Sequence, residues 1–229
     1  LFGGIQNIPE DKVQNVPATY KSDSIWNYEL GLRTDWLDRT LQADITAFHI
    51  DYQNPLVVLK NAIMINYYDN VGAAASDGFE TNVRWLTPIP GVLFTGGAGM
   101  VDAHTTEDFM AGRTPVPAGR PLPGSAKLQY NGALTFIGPP QYWLGLGANV
   151  GYVYVGEANN DLVSDATIGD YATWNASVQL ALNHVAGKPT LGLAVTNMTD
   201  VSAPIGIIGD FYILNPPRTV VARFSVEFE

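Results

Sequence analysis

The feature that most constrains the fold of this chain is the alternation of apolar and polar residues over long segments. Residues 142–156 show it clearly, because Tyr, Leu, Ala and Val occupy one set of alternate positions and glycine and Asn149 dominate the other. The same alternation recurs in segments 26–36, 79–85, 126–136, 172–183 and 220–228, and every formal charge in these segments falls on the polar face. A period of two is that of a β-strand. The chain is therefore predicted to be all-β, with one face that excludes charge.

The alternation predicts about nine strands, several of them longer than the five or six residues usual in soluble sheets. They are 25–37, 40–53, 72–87, 92–103, 125–137, 142–156, 170–184, 189–198 and 217–228. Such lengths suit a tilted strand that crosses a bilayer, which takes about 9–11 residues. Strand 40–53 is irregular, because Phe48, Ile50 and Tyr52 change face. A β-bulge, or emergence from the membrane, would explain the change.

The connections between these strands alternate in length. The short ones are 38–39, 88–91, 138–141 and 185–188, and the long ones are roughly 54–71, 104–124, 157–169 and 199–216. Outer-membrane barrels have short periplasmic turns and long outer loops. The predicted fold is therefore a transmembrane, antiparallel up-and-down β-barrel. A soluble β-sandwich or propeller is the alternative, since both also alternate.

Composition and charge exclude several other classes. Charged residues make up 15% of the chain, against about 25% in soluble domains. The net charge of −10 argues against nucleic-acid binding, which needs a basic face. The chain has no cysteine, which excludes disulfides and thiolate metal sites. The uncharged stretch 128–156 is long enough for a transmembrane helix, but its repeated glycines and its two prolines argue against one.

Four stretches, in order along the chain, resemble the TonB-dependent receptors of the bacterial outer membrane. They are residues 27–36 with 41–54, similar to "YElGlr…aFhidYqN"; Asn70-Val-Gly with Gly78-Phe-Glu, similar to "N.G…G.E"; residues 195–200, similar to "v.NltD"; and Pro217-Arg-Thr with the last strand, similar to "PRt…f". The chain departs from the family in two places. It lacks a Tyr shortly after Asp200, and Glu229 follows the last aromatic residue.

The resemblance implies energised import of a scarce ligand, often a ferric chelate, across the outer membrane. The expected partners are outer-membrane lipid and lipopolysaccharide, a small extracellular ligand, and the TonB system acting through an N-terminal plug region. The expected location is the bacterial outer membrane, crossed many times. No cofactor and no nucleic acid is expected. A passive porin is the alternative function, because barrel strands alone look much the same, and an outer-membrane enzyme or autotransporter is a third class.

The strand count predicts a partial barrel. Bacterial single-chain barrels have even strand numbers, and transporters of this kind have about 22 strands. Residues 1–24 are expected to be an outer-loop segment, and residues 25–229 are expected to be the C-terminal strands of a larger barrel. Strands 25–37 and 217–228 should then not pair with each other.

Orientation follows from the alternation. The apolar residues expected to face lipid are Trp26, Leu30, Leu128, Tyr130, Leu144, Leu146, Trp174, Val178, Leu180, Phe224 and Val226, and those expected to face inward are Glu29, Arg33, Arg84, Gln179, Arg223 and Glu227. Aromatic rings near strand ends settle at headgroup depth. Two exterior bands are therefore predicted for Trp26, Trp36, Trp85, Tyr142 and Tyr152.

The candidate ligand-binding residues lie in or beside the long loops. They are Tyr67, Tyr68, His104, Phe109, Phe211 and Tyr212. No metal site is predicted, because His49, His104 and His184 occur in separate segments without metal-ligand spacing. No Ser/His/Asp or nucleophile-elbow pattern occurs either, so the chain is not expected to be an enzyme.

Overall fold

The computed structural model describes residues 4–5, 16–60, 66–70, 72–111, 114–139 and 142–227, without the side chains of residues 58–60 and 66. Within these residues, nine strands form one antiparallel sheet in which sequence neighbours pair. The strands are β1 Ser24–Trp36, β2 Leu41–Gln53, β3 Ala73–Leu86, β4 Val92–Thr105, β5 Leu128–Ile137, β6 Leu144–Val155, β7 Tyr171–Leu182, β8 Thr190–Thr196 and β9 Thr219–Ser225. The predicted up-and-down order is confirmed. Predictions for residues 1–3, 6–15, 61–65, 71, 112–113, 140–141 and 228–229 lie outside the described residues.

The sheet is open at β1 and β9. These two strands stand at its edges, and over the described part of the chain neither has a second strand partner. The prediction that they do not pair with each other is therefore confirmed. In a membrane, each edge would have to be covered by another strand, because unpaired backbone groups are not tolerated in lipid.

The strand register defines the two faces. Arg33 lies opposite Asp44, Asp44 opposite Asn82, and Asn82 opposite Gly97. Directly opposed residues point to the same side, so this row belongs to what we call the polar face. Leu30 is three residues from Arg33 on one continuous strand and points to the other, apolar face. The prediction that Leu30 and Arg33 lie on opposite faces is confirmed.

Strand β2 contains no bulge, which was one of the two explanations for its change of face. It pairs one to one with both neighbours from Leu41 to Gln53. Phe48 does lie on the polar face, with its ring over Gly78, where an added Cβ would stand 2.5 Å from the Phe48 Cζ. The change of face therefore reflects apolar packing at the loop end of the polar face, and not an extra residue in the strand.

The apolar face ends, on the loop side, in a polar collar of two rows. The rows are Tyr28–His49–Asp77–Asp102 and Trp26–Asp51–Ala75–His104. His49 Nδ1 lies 2.7 Å from Asp77 Oδ1, and its Nε2 lies 3.4 Å from Asp51 Oδ1. Charges are thus absent from the middle of this face and reappear only at its loop end.

The connections at the opposite end are tight turns. Leu37, Asp38 and Arg39 adopt left-handed φ angles of 53°, 54° and 66°. The Thr40 N–H closes the turn on the Leu37 carbonyl at 3.1 Å. The structure also confirms the alternation of short and long connections along the sheet.

Aromatic side chains lie near both ends of the apolar face. Trp36 and Trp85 both flank Leu41 at the turn end. At the loop end, Tyr152 and Trp174 pack edge to face with their ring centroids 4.8 Å apart. Of the five residues predicted for the two bands, Trp36, Trp85 and Tyr152 thus lie near the ends of this face, and their depth in a membrane stays a prediction.

Each long connection contains a short hairpin. We call these connections loop A (54–72), loop B (106–127), loop C (156–170) and loop D (197–218). Their hairpins are Leu56–Lys60 with Asn66–Asn70, Phe109–Ala111 with Thr114–Val116, Ala158–Asn159 with Thr167–Ile168, and Pro204–Ile208 with Phe211–Leu214. A further small hairpin, Gly4–Ile5 with Thr19–Tyr20, precedes β1. Among the described residues, no helix is long and apolar enough to cross a membrane.

Candidate functional site

The buried side chains lie mostly at the loop end of the sheet, where loops A to D meet the strands. Those less than a tenth exposed include Tyr67, Ala73, Ala74, Ala75, Ala103, Thr105, Val116, Ala126, Ala158, Asn197, Ala203 and Asn215. Many of them are alanines, whose small side chains let loop backbone approach the strands closely. The packed interior of the described chain therefore lies where loops A to D meet the strand ends, a region that we call the loop cluster.

Loop B is folded back onto the end of β4 by Thr105, which is only 2% exposed. The Thr105 hydroxyl donates to the Pro117 carbonyl at 2.9 Å and accepts from the Arg120 N–H at 3.0 Å. The Thr105 N–H also donates to the Arg120 carbonyl at 2.9 Å. Thr105 belongs to the polar face, so these bonds hold loop B above that face.

Loops B and C are joined through Arg120. Its Nη1 donates to Asp165 Oδ1 at 2.6 Å, and its Nη2 donates to the Ser164 carbonyl. The Gly124 N–H of loop B donates to the Asn159 carbonyl of loop C at 2.8 Å. A charged pair and a backbone bond thus fix the two loops together.

Loops C and D are joined through Asn160. Its side-chain amide donates to the Ile207 carbonyl at 3.2 Å and accepts from the Ile207 N–H at 2.8 Å. The Gly169 N–H donates to the Pro204 carbonyl at 2.8 Å. Loops B, C and D therefore form one connected unit.

Loop C is also folded by Asp161. Its Oδ1 accepts from the N–H groups of Val163 and Ser164 at 2.8 and 2.6 Å, and its Oδ2 accepts from the Ser164 hydroxyl at 2.7 Å. Burial raises the pKa of Asp161, but hydrogen bonds from Ser164, Val163 and Asn160 outweigh that effect and leave the pKa below its ordinary value.

Residues of the "v.NltD" and "PRt" segments form the hydrogen bonds at the base of loop D. Asn197 has a φ of 48° and is 5% exposed. Its amide donates to the Val201 and Pro216 carbonyls at 2.8 and 3.0 Å and accepts from the Val201 N–H at 3.0 Å. Asp200 Oδ1 accepts from the Arg218 N–H at 2.9 Å. These residues close the loop at its base, so the motif has a structural role.

The "N.G" segment ties loop A to the chain before β1. Asn70 accepts from the Lys21 N–H at 2.6 Å and donates to the carbonyls of Lys21 and Asn54 at 3.1 and 2.8 Å. Gly72 has a φ of 37°, which favours glycine, and its neighbour is the Phe109 ring of loop B. The motif residues therefore position loop A relative to its neighbours.

Two of the predicted ligand-binding residues lie in the loop A hairpin. Tyr67 is 4% exposed, and burial, followed by the charge of Asp69, raises its pKa. Tyr68 is 48% exposed, and its ring centroid lies 5.9 Å from that of Tyr20. Tyr67 is therefore a packing residue in this arrangement, whereas Tyr68 presents an accessible ring.

The other four predicted residues lie on three separate surfaces. His104 points to the apolar face, with its Nδ1 4.0 Å from Asp102. Phe109 packs beside Gly72. Phe211 and Tyr212, 79% and 65% exposed, lie at the tip of the loop D hairpin. The structure does not bring the six residues together.

A cavity of about 400 Å³ lies between the strand ends and loops A, B and C. The strand ends contribute Tyr52, Ala73, Ala74 and Thr105, and the loops contribute mainly proline, leucine and valine side chains. None of the six predicted residues is among the described residues that line it. The sequence pattern did not predict these lining residues. The one signal in the sequence was the change of face that brings Tyr52 to the polar side.

We call the nine-strand sheet β1–β9 the wall. A second cavity, of about 250 Å³, is a groove in the polar face of this wall. Its polar lining includes Glu80, Asn82, Gln129 and Asn131. Over the described part of the chain, no group of three or more His, Asp or Glu side chains is placed to hold a metal ion. The structure thus offers a polar groove along the wall and an apolar cavity under the loops.

Comparison with known proteins defines the class. Residues 8–198 match the family described as "TonB dependent receptor-like, beta-barrel". The chain is similar in structure to the siderophore receptor PiuA from Acinetobacter baumannii, with 20% identity and a TM-score of 0.68 over 88% of this chain and 28% of that one. It is also similar to the ferric yersiniabactin uptake receptor FyuA from Yersinia pestis, with 17% identity and a TM-score of 0.75 over 99% of this chain and 33% of that one.

A third similar structure is the copper transporter OprC, with 14% identity and a TM-score of 0.66 over 91% of this chain and 32% of that one. The chain spans about a third of the length of these three proteins. The nine-strand antiparallel sheet matches part of the β-barrel of such receptors. This chain belongs to the TonB-dependent receptor β-barrel family.

Proposed function

We propose that this chain forms part of the wall and the outer loops of a receptor that imports a scarce ligand, such as a ferric chelate, with energy from the TonB system. The observation that carries the proposal is the connected loop cluster above the polar face. A passive pore needs a polar-lined wall, but it does not need three loops joined by charged and amide contacts. A receptor that captures a dilute ligand does need such a surface.

The proposed orientation follows from the family, whose members are outer-membrane β-barrels. The polar face lines the interior, the apolar face contacts lipid, and loops A to D are extracellular. In β6 the apolar residues run from Leu144 to Tyr154, which is about 33 Å along a strand at ~3.3 Å per residue. At a tilt of about 40° this length gives an apolar band about 25 Å tall, as in outer-membrane barrels. The polar collar would then stand at the outer boundary, facing lipopolysaccharide.

The choice of a ferric chelate as the ligand is supported by the names of two proteins with a similar fold. PiuA is named as a siderophore receptor and FyuA as a ferric yersiniabactin receptor, whereas OprC is named as a copper transporter. Because one fold serves these different cargoes, the ligand must be chosen by the loops and the polar face.

The test is uptake by cells that carry the intact receptor, with and without a functional TonB system. Radioactive iron is offered as ferric yersiniabactin and as ferric citrate, and copper is offered as a comparison. We expect saturable uptake of at least one cargo that stops when TonB is deleted or the proton gradient is collapsed. Uptake that rises linearly with concentration and is unchanged without TonB would instead establish a passive pore.

A further inference from the structure

We propose that the cavity between the strand ends and loops A, B and C is a binding subsite for an uncharged, apolar group of the imported ligand. The inference rests on the proposed import function and specifies the chemistry of its ligand. The cavity volume of about 400 Å³ lies within the range of small-molecule sites, about 300–1,000 Å³.

One side of the cavity is formed by buried residues at the ends of two strands. Ala73 and Ala74 at the start of β3 are each 3% exposed, and Thr105 at the end of β4 is 2% exposed. The lining also includes Leu56, Leu122 and Leu162, which come from three different loops. Because Arg120 and Asp165 join loops B and C, two of the three loops that line the cavity are held in place before any ligand arrives.

The polar side chains at the cavity are already bonded within the protein. The Tyr52 hydroxyl donates to Asp23 Oδ2 at 2.7 Å, and the Thr105 hydroxyl both donates and accepts. Asn160 is engaged with Ile207, and the Asp161 oxygens accept from loop C. Buried polar groups keep their partners because losing them is costly. The surface left for a ligand is therefore mainly hydrocarbon.

The charge around the cavity disfavours an anionic group. Among the described residues, no Lys or Arg lines the cavity, and loops A to D hold nine Asp and Glu residues against five Lys and Arg. Two of those basic side chains, Arg120 and Arg218, are engaged with Asp165 and Asp200. A ligand group that carries negative charge would meet like charge here, whereas an uncharged group would not.

The experiment uses two probes with the same aromatic skeleton, uncharged N-phenylnaphthylamine and its sulfonated analogue anilinonaphthalene sulfonate. Binding to the intact receptor in lipid nanodiscs is measured by fluorescence, above the signal of empty nanodiscs. Ala111→Trp fills the cavity, and Met110→Trp, at a neighbouring residue that is 55% exposed and outside the lining, is the matched control.

We expect saturable binding of the uncharged probe to the wild type and to Met110→Trp. Binding to Ala111→Trp should be weaker by about tenfold or more, because the indole would occupy volume that the probe needs and even one misplaced methylene in a hydrophobic pocket is worth about tenfold. The sulfonated probe should bind the wild type at least about tenfold more weakly than the uncharged one, because it brings negative charge to an acidic surface. Val163→Trp, also in the lining, provides a second filled variant if Ala111→Trp does not fold.

Equal affinity of the wild type for the two probes would overturn the subsite, whatever the variants do. So would unchanged binding of the uncharged probe to a folded, cavity-filled variant. Neither result would contradict the proposed import function if uptake remained TonB-dependent. Conversely, uptake that is independent of TonB would remove the import function, even if the probe bound as expected.

Discussion

The wall and the loop cluster of this chain are stabilised by different means. In the wall, backbone bonds join the strands while side chains stay accessible on the apolar face, as in Leu30 and Leu191, which are 80% and 55% exposed. In the loop cluster, Thr105 and Asn197 are almost fully buried and bond to backbone groups. In the proposed orientation the surrounding membrane is the apolar partner of the wall, whereas the loop cluster has its own small core. The two regions should respond to different kinds of substitution.

The largest effect should come from placing a charge on the apolar face of the wall. Val178→Arg in the middle of β7 should destabilise the folded barrel by about 2–4 kcal/mol, because an arginine there must enter the hydrocarbon. Gln179→Arg, one residue along on the polar face, should have little effect. The measurement is the urea dependence of folding into liposomes, for the intact receptor and both variants. Similar losses for the two variants would contradict the assignment of faces.

The loop cluster should be most sensitive to the loss of a buried amide. Asn197→Ala removes the acceptor of the Val201 N–H and one of the two amide donors to each of the Val201 and Pro216 carbonyls, to which the Asn215 amide also donates. Each buried group left without a partner costs about 1–3 kcal/mol, so loop D should open more readily. Faster hydrogen exchange is expected at the loop D amides, with the wall unchanged.

Asn149→Ala in the wall is the matched control for this amide. Asn149 is also hydrogen-bonded, to Thr135 at 2.8 Å, but it stands on the polar face of the sheet. Water can replace the lost bond there, so the effect should be smaller. An Asn149→Ala effect as large as that of Asn197→Ala would show that the wall and the loop cluster do not differ in this respect.

A smaller effect is expected at the contact between loops B and C. Arg120 and Asp165 form a close pair, but the Asp165 side chain is 93% exposed. Exposed ion pairs contribute about 0.2–1 kcal/mol, so a double-mutant cycle with Arg120→Met and Asp165→Asn should give a coupling in that range. Hydrogen exchange at the loop C amides supplies the free energies. Additive effects of the two substitutions would mean that the pair does not join the loops.

The smallest effect is a response of loop C to acid. The pKa of Asp161 is lower in the folded loop than its ordinary value of 3.8, so its ionised form stabilises the fold. That stabilisation is complete above the ordinary pKa and is lost as the pH falls through the lowered, folded value. Pepsin cleavage in loop C should therefore rise below pH 3.8 more steeply in the wild type than in Asp161→Asn. Identical cleavage profiles for the wild type and Asp161→Asn would show that ionised Asp161 does not stabilise loop C.

The wall was predictable from sequence because alternation is a local signal that each strand carries by itself. The faces of Leu30 and Arg33 followed directly from their spacing. Asp77 and Asp102 show the limit of the pattern, since both lie on the apolar face but beyond its charge-free middle. The segments that displayed the alternation most clearly did not include them.

The loop cluster was not predictable in the same way. Tyr67 and Tyr68 are adjacent in sequence, yet one is buried and the other is half exposed. Where a loop folds depends on contacts such as that of Asn160 with Ile207, 47 residues apart. No local pattern encodes such a contact, so the predicted loop residues were chosen by residue type and not by position.

The central claim, that one face of this wall contacts lipid and the other lines a water-filled interior, can be measured directly along β7. The chain has no cysteine, so single cysteines from Trp174 to Ala181 can carry a spin label in the intact receptor. We expect oxygen, which is concentrated in lipid, to reach the labels at 174, 176, 178 and 180. A water-soluble nickel complex should reach those at 175, 177, 179 and 181. Equal accessibility at neighbouring positions, or a repeat longer than two residues, would contradict the claim.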